Sequence, residues 1–356
     1  MKSAPRSKKR FATKKIDCVD LFCGLGGLTH GLIRGGIDVR AGVDVDGQCQ
    51  YPYEKNNRSR FIQKDVSELS GDDLIAMCRK PSLKLLAGCA PCQPFSTYSR
   101  KSRKLKQDMK WGLVSEFGRL IEEMEPDFVT MENVPQLADH SVFEDFEDSI
   151  AGYHSCSSVV DCSEYGVPQS RKRLVLLASR HGPIELKLPE YCGWEKQTVR
   201  DAISHLKPIK AGCSDTKDSI HTASSLSELN MQRIKSSKPG GTWRDWDKSL
   251  ISKCHRKKSG QTFPSVYGRM EWDKPSPTIT TQCFGYGNGR FGHPKQNRAI
   301  SLREAAILQT FPENYSFTAP GEQPVFSVMG RLIGNAVPVR LGEVIAESLF
   351  DHISQL

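Results

Sequence analysis

Ile16-Asp17-Cys18-Val19-Asp20-Leu21-Phe22-Cys23-Gly24-Leu25-Gly26-Gly27 is the stretch that decides the fold. Its first half is short and largely apolar, the pattern of a buried strand, and glycines follow at once. Helical spacing runs from Leu28 to Arg34 and stops at Gly35-Gly36. Ile37 to Val43 then reads as a second strand. A strand, a tight glycine turn, a helix and another strand make one βαβ unit. The same alternation continues outward. Leu83 to Ala87, Phe128 to Met131 and Leu174 to Ala178 read as short strands, Phe61-Ile62-Gln63 as an extended segment, and Leu113 to Met124 as a helix. Alternation of this kind predicts an α/β fold, a parallel sheet with helices on both faces.

The pattern changes near residue 181. From there to about residue 300 hydrophobicity is irregular and Ser, Lys, Pro and Gly are frequent. Trp194, Trp243, Trp246 and Trp272 all lie in this part, which reads as a second, loop-rich domain. Helical periodicity returns at Leu302 to Thr310 and at Leu341 to Leu349, and there are no internal repeats. A chain of 356 residues accommodates one large and one smaller domain.

Gly24-Leu25-Gly26-Gly27 places a G-x-G-G turn between strand and helix, where glycines let the backbone approach a ligand. The spacing is not G-x-G-x-x-G, which argues against a dinucleotide pyrophosphate. Asp44 follows the second strand and Asp65 follows the extended segment. Acids that end successive strands suit a nucleoside with no phosphate to repel. A purely structural turn is the alternative.

Ala87-Gly88-Cys89-Ala90-Pro91-Cys92-Gln93-Pro94-Phe95-Ser96 follows another strand. Two prolines bracket Cys92-Gln93 and stiffen the loop, so the thiol is presented rather than packed away. Met131-Glu132-Asn133-Val134-Pro135 puts a carboxylate at the end of a further strand. A thiol and an acid facing one pocket suggest nucleophilic chemistry with proton transfer. A disulfide oxidoreductase is the competing reading of Cys89-x-x-Cys92. Such motifs normally open a helix that lowers the cysteine pKa, and here Pro94 and a basic run follow instead. Cys89 is therefore expected to be a small buried residue.

The net charge of +9 is unevenly placed. Residues 1–15 hold seven basic residues and no acid, residues 100–110 carry a net +5, and residues 231–258 a net +7. Concentrated positive charge on an otherwise acidic body suggests a polyanion, although solvated basic loops would produce the same pattern. Residues 1–15 are expected to form a disordered basic arm. The 12 cysteines are irregularly spaced with one C-x-x-C pair, which argues against a structural zinc site. No apolar run approaches the length of a membrane span, and the basic N-terminus lacks a secretory core.

Together these segments resemble the cytosine-5 DNA methyltransferase family. Asp20 to Gly27 is similar to its cofactor loop, Pro91-Cys92-Gln93 to its nucleophile loop, and Glu132-Asn133-Val134 to its acid motif. Gln169-Ser170-Arg171-Lys172-Arg173 resembles its arginine motif, Arg303 to Pro312 a late helix motif, and Gly334-Asn335-Ala336-Val337-Pro338 its closing cofactor motif. All six occur in the family's order.

The resemblance implies a Rossmann-like methyltransferase sheet, mostly parallel with one antiparallel strand. It divides the chain into a catalytic domain over residues 16–185 plus 325–356 and a target-recognition domain over 186–324. It implies S-adenosylmethionine as cofactor, bound by Phe22, Gly24, Gly26, Gly27, Asp44, Asp65, Val66 and Asn335. Position 44 is more often Glu in the family. Cys92 would attack carbon 6 of a flipped cytosine, Glu132 would donate a proton to ring nitrogen 3, and Arg171 and Arg173 would hold the base oxygen. Double-stranded DNA is the implied partner, with contacts expected from Ser96, Arg100, Lys101, Arg103, Lys104, Trp243, Arg244, Arg256 and Lys257. No metal and no membrane is implied. A monomer in the cytoplasm, associated with the nucleoid, is expected, and the reading leaves room for a cognate restriction endonuclease acting on the same site. Three rivals remain. A tRNA cytosine-5 methyltransferase shares the scaffold, and Cys283-Phe284 resembles its Cys-Phe-Thr signature with Gly285 in place of Thr. The others are a non-catalytic DNA-binding module and the thiol oxidoreductase.

Overall fold

A computed structural model describes residues 15–91 and 103–356, with side chains in the second stretch from residue 112. Strand β1 (Ile16–Leu21) is buried along its whole length, as its apolar run requires of a strand covered on both faces. Helix α1 (Gly27–Arg34) returns the chain to β2 (Asp38–Asp44), and α2 (Gln50–Asn57) leads to β3 (Arg60–Gln63). Helix α3 (Gly71–Met77) carries the chain back across β1 to β4 (Leu83–Gly88). The long α4 (Arg103–Met124) precedes β5 (Phe128–Asn133), then α5 (Ser141–Ser149), β6 (His154–Asp161) and β7 (Lys172–Ser179).

These strands form one seven-stranded sheet in the order β3-β2-β1-β4-β5-β7-β6. The β1–β2, β2–β3, β1–β4 and β4–β5 pairs are parallel. Only β7 runs against both of its neighbours, which is the single reversed strand expected. The order reverses between β1 and β4. In an open α/β sheet the crevice outside the strand ends at such a switch point is where ligands bind. The β6 edge was not read from the sequence. His154-Ser-Cys-Ser-Ser-Val-Val-Asp is polar and largely exposed, so it lacks the apolar run that marks the inner strands.

The chain groups into two compact units. Among the described residues, the first runs from residue 15 to 165, from 172 to 194 and from 337 to 356, and the second comprises 166–171 and 195–336. The boundary expected at 186–324 differs because Gln169 and Arg171 hydrogen-bond within the second unit, and so does the helix that ends at Asn335. The first unit contains the sheet, α1 to α5, the short α6 (Pro189–Cys192) and the C-terminal helix (Val339–Gln355). Phe117, Leu120, Ile121, Phe143 and Phe146 from α4 and α5 pack against Val19, Leu86, Val129 and Met131 of the sheet. On α1, a Cβ at Gly31 would lie 2.1 Å from the Val339 carbonyl oxygen, so glycine allows this helix to meet the C-terminal one backbone to backbone.

The second unit contains α7 (Val199–Ile203), α8 (Glu228–Ser236), α9 (Leu302–Leu308) and α10 (Phe326–Asn335). Among its described residues there are isolated bridges but no named strand. Buried arginines take over the satisfaction of its backbone. Arg269 donates to the carbonyls of Ile234, Ser237, His293 and Gln296. Arg298, fully buried, forms two 2.7 Å bonds to the Glu304 carboxylate. Arg303 grips Asp218 at 2.6 and 3.0 Å. Among the described residues no helix is long and apolar enough to cross a membrane.

Candidate active site

The loop leaving β1 is shaped by its backbone. Phe22 and Gly24 have φ of 58° and 50°, and Gly26, at 83°, precedes the first turn of α1, where Gly27 is buried. Cys23 N–H donates to the Val43 carbonyl at 3.1 Å, tying the loop to β2. Asp44, the last residue of β2, accepts from Gly24 N–H through Oδ2 and from Asp46 N–H through Oδ1, both at 2.9 Å. A Cβ at Gly24 would meet nothing within 4 Å, so the loop faces open space there. Phe22 is half-buried and packs on the apolar core. Asp65 caps the turn that begins at Val66 and accepts from Ser67 N–H at 2.9 Å and Ser67 Oγ at 2.7 Å. Those bonds hold its carboxyl below the usual carboxylate range. Val66 is buried beside it. The Gly24–Asp44 bond brings the loop after β1 against the end of β2.

Beneath the loop lies a group that the sequence reading missed. Asp20 is 1 % exposed and accepts from Thr29 Oγ1 at 2.6 Å. Thr29 continues to the Tyr53 hydroxyl at 3.1 Å, and Tyr53 to Ser59 Oγ at 3.0 Å. Burial pushes the Asp20 carboxyl up to about 7. An acid inside an otherwise apolar strand was the available signal.

The second cluster sits at the end of β5. Glu132 is 2 % exposed. Its Oε1 lies 2.8 Å from Arg173 Nε, and its Oε2 accepts from the Cys89 thiol at 2.8 Å. The sheet register explains the first contact. Glu132 pairs with Val175 and Asn133 with Leu174 across an antiparallel ladder, so the start of β7 meets the end of β5. The next residue, Asn133, donates through Nδ2 to the Ala90 carbonyl at 3.0 Å. That bond ties the end of β5 to Ala90, the residue before Pro91. Cys89 is half-buried and hydrogen-bonded, which goes beyond the packing role expected for it.

Cys92, Ser96, Arg100 and Lys101 lie outside the described residues, and so do the side chains of Arg103 and Lys104, which open α4. Arg171 belongs to the second unit. It is 3 % exposed and donates to the carbonyls of Ile279 at 3.1 Å and of Gly334 and Ala336, both at 3.3 Å. There it braces two backbone segments. Asn335 ends α10 and is exposed.

Among the expected DNA contacts, Arg256 and Lys257 are exposed. Trp243 differs from expectation. It is 5 % exposed, stacks on His255 at 4.4 Å between ring centres, and donates through Nε1 to the Phe263 carbonyl at 2.9 Å. With Trp246 and Val266 it forms a small apolar core, so its ring is not presented for base stacking. Arg244 lies over that ring and donates to the Gln261 carbonyl at 2.7 Å. Cys283 is fully buried, and burial raises its thiol to about 12, which marks a packing residue.

The family model for C-5 cytosine-specific DNA methylases matches residues 16–351, nearly the whole chain. The chain belongs to the C-5 cytosine-specific DNA methylase family. Among relatives of this methyltransferase, the Type II methylase M.HgiDII of Herpetosiphon aurantiacus is 54% identical, over 93% of the chain and 94% of that protein. The Type II methyltransferase M1.HphI of Haemophilus parahaemolyticus is 31% identical, over 96% of the chain and 89% of that protein. The crystal structure of a DNA modification methyltransferase encoded within an E. coli prophage shares the methyltransferase fold, with a TM-score of 0.73 and 24% identity over 95% of this chain and 99% of that one.

Proposed function

We propose that this C-5 cytosine DNA methyltransferase modifies one cytosine within a specific sequence of duplex DNA, with S-adenosylmethionine as donor and Cys92 as nucleophile. The observation that carries the reading is the Glu132 carboxyl, 2 % exposed on the strand next to the one that leads into Pro91-Cys92. Carbon 5 of cytosine is a weak nucleophile. Addition of the Cys92 sulfur to carbon 6 makes it enamine-like, and charge builds on ring nitrogen 3. Glu132 delivers a proton to that nitrogen, and Arg173 holds the carboxyl from its other oxygen. Loss of the carbon 5 proton and expulsion of the Cys92 sulfur restore the aromatic ring. Because the carbon is inaccessible in a stacked duplex, the base must be extruded, at a cost of a few kcal/mol.

The residues present fit the donor. Open space lies over Gly24, and Asp65 Oδ2 takes no hydrogen bond among the described residues. Phe22, Asp44, Asp65 and Val66 would hold it, with Asn335 from the closing motif. When bound, S-adenosylmethionine supplies an electrophilic methyl group. The names of the relatives support a Type II role, paired with an endonuclease that reads the same site. Arg256 and Lys257 are the exposed cations proposed to contact phosphate.

Bisulfite sequencing of host DNA after expression tests the reaction and its sequence context together. The expected result is 5-methylcytosine at one sequence, plus a covalent adduct on duplexes that carry 5-fluorocytosine. Faster methylation of tRNA than of duplex DNA would overturn the choice of substrate.

A further inference from the structure

The mechanism proposed above assigns no task to Cys89. Yet the thiol lies 2.8 Å from Glu132 Oε2, while Arg173 Nε lies 2.8 Å from Oε1. A carboxyl can rotate about its last bond, and that torsion is broad when nothing opposes it. Here the Cys89 thiol, from the loop after β4, supplies the hydrogen bond to Oε2, while the Arg173 guanidinium from β7 pairs with Oε1 by charge alone, so the thiol is the directional contact that sets the plane of the carboxyl. The site is buried, and in such surroundings the orientation of a polar group is worth more than in water. Catalysis that depends on proton delivery to one ring nitrogen is sensitive to that orientation, because proton transfer needs hydrogen-bond reach and alignment.

We infer that Cys89 is a positioning residue for methyl transfer: its thiol fixes the rotation of the Glu132 carboxyl and thereby aims it at the target base. The inference rests on the reading of Glu132 as the acid. Cys89 touches neither the base nor the donor in this account. It acts through Glu132, and it has no redox task.

Three single substitutions in the full-length enzyme separate the possibilities: Cys89→Ala, Cys89→Ser and Glu132→Gln. Burst and steady-state methyl transfer to a cognate duplex would be measured for each, with DNA affinity measured separately. Cys89→Ala should lower kcat about tenfold with KM for DNA within about twofold, since a lost alignment costs on the order of one factor of ten. Cys89→Ser retains a donor and should recover kcat to within about threefold of the parent. Glu132→Gln should lose far more. If Cys89→Ala keeps full kcat while Glu132→Gln is crippled, the positioning role is wrong and the acid assignment stands. If Glu132→Gln itself transfers methyl groups normally, the acid assignment has failed. If Ser and Ala are equally slow, the thiol is needed for something other than donation to Glu132, and the inference is overturned.

Discussion

The two units of this chain solve the same problem by different means. In the first, seven strands satisfy one another's backbone and an apolar core of Phe, Leu, Ile and Val packs the helices against them. In the second, no named strand occurs among the described residues, and buried arginines reach the carbonyls instead. A ladder places functional groups at its ends by register, so chemistry can be built on it with small positional error. An arginine staple holds irregular loops in place without dictating their path. It makes each staple a point of failure.

Substitutions test that contrast from both sides. The largest effect should come from the first unit's loop. Cys92→Ala is expected to reduce methyl transfer by at least about 10³-fold, roughly 4 kcal/mol in the barrier, while gel-shift affinity for duplex DNA is retained. Measurable turnover at the parent rate would remove the chemistry from that unit altogether. In the second unit, Arg298→Met leaves the Glu304 carboxylate buried without its partner, and breaking such a pair costs about 3–5 kcal/mol. Urea unfolding should report a loss of that size. A loss below about 1 kcal/mol would mean that apolar packing, not the guanidinium, holds the unit together.

A third test probes a polar group inside the apolar unit. Asp20 is raised to about 7 by burial, against an ordinary value near 4. The folded state therefore retains a proton that the unfolded chain has released, and stability falls as pH rises from about 4 to about 7. Asp20→Asn removes that dependence. Its stability relative to the parent should rise with pH across this window, by up to about 4 kcal/mol. Parallel melting curves at every pH would show that Asp20 ionises freely. The smallest effect is expected at the exposed rim of the second unit. Lys257→Ala should weaken DNA binding equally on cognate and unrelated duplexes and reduce the salt slope by about one. A sequence-dependent loss would instead place Lys257 among the base-reading groups.

The contrast also explains what could be read in advance. The path β1–α1–β2, with its glycine turn and Asp44, follows from apolar runs and punctuation that lie close together in sequence. The position of Glu132 was legible for the same reason, as an acid at the end of an apolar strand. The edge strand His154–Asp161 was not, because a strand with one exposed face of Ser and Val resembles a loop. The motif around Arg171 implies a ligand for the base and says nothing of the carbonyls of Ile279, Gly334 and Ala336 to which its guanidinium donates. Those partners are far away in sequence, and nothing near Arg171 announces them. Trp243 failed similarly: an aromatic among basic residues has two uses, and only the ring's neighbours choose between them. The bond from Cys89 to Glu132 spans two strand ends and depends on how β4 and β5 align.

The reversed direction of β7 has an evolutionary consequence. Residues 134–171 leave the rim of the sheet at Glu132-Asn133 and return to that rim at Lys172-Arg173. Insertions or deletions in the turns of that excursion, outside α5 and β6, leave acid and guanidinium together, provided the two flanking strands keep phase. A slip of one residue would be a different matter. Because alternate side chains face opposite sides, it would substitute a neighbour such as Lys172 for Arg173 and turn the guanidinium away from the carboxyl. Length can therefore change only in the turns that join α5, β6 and β7, and the phase of β7 against β5 cannot change at all.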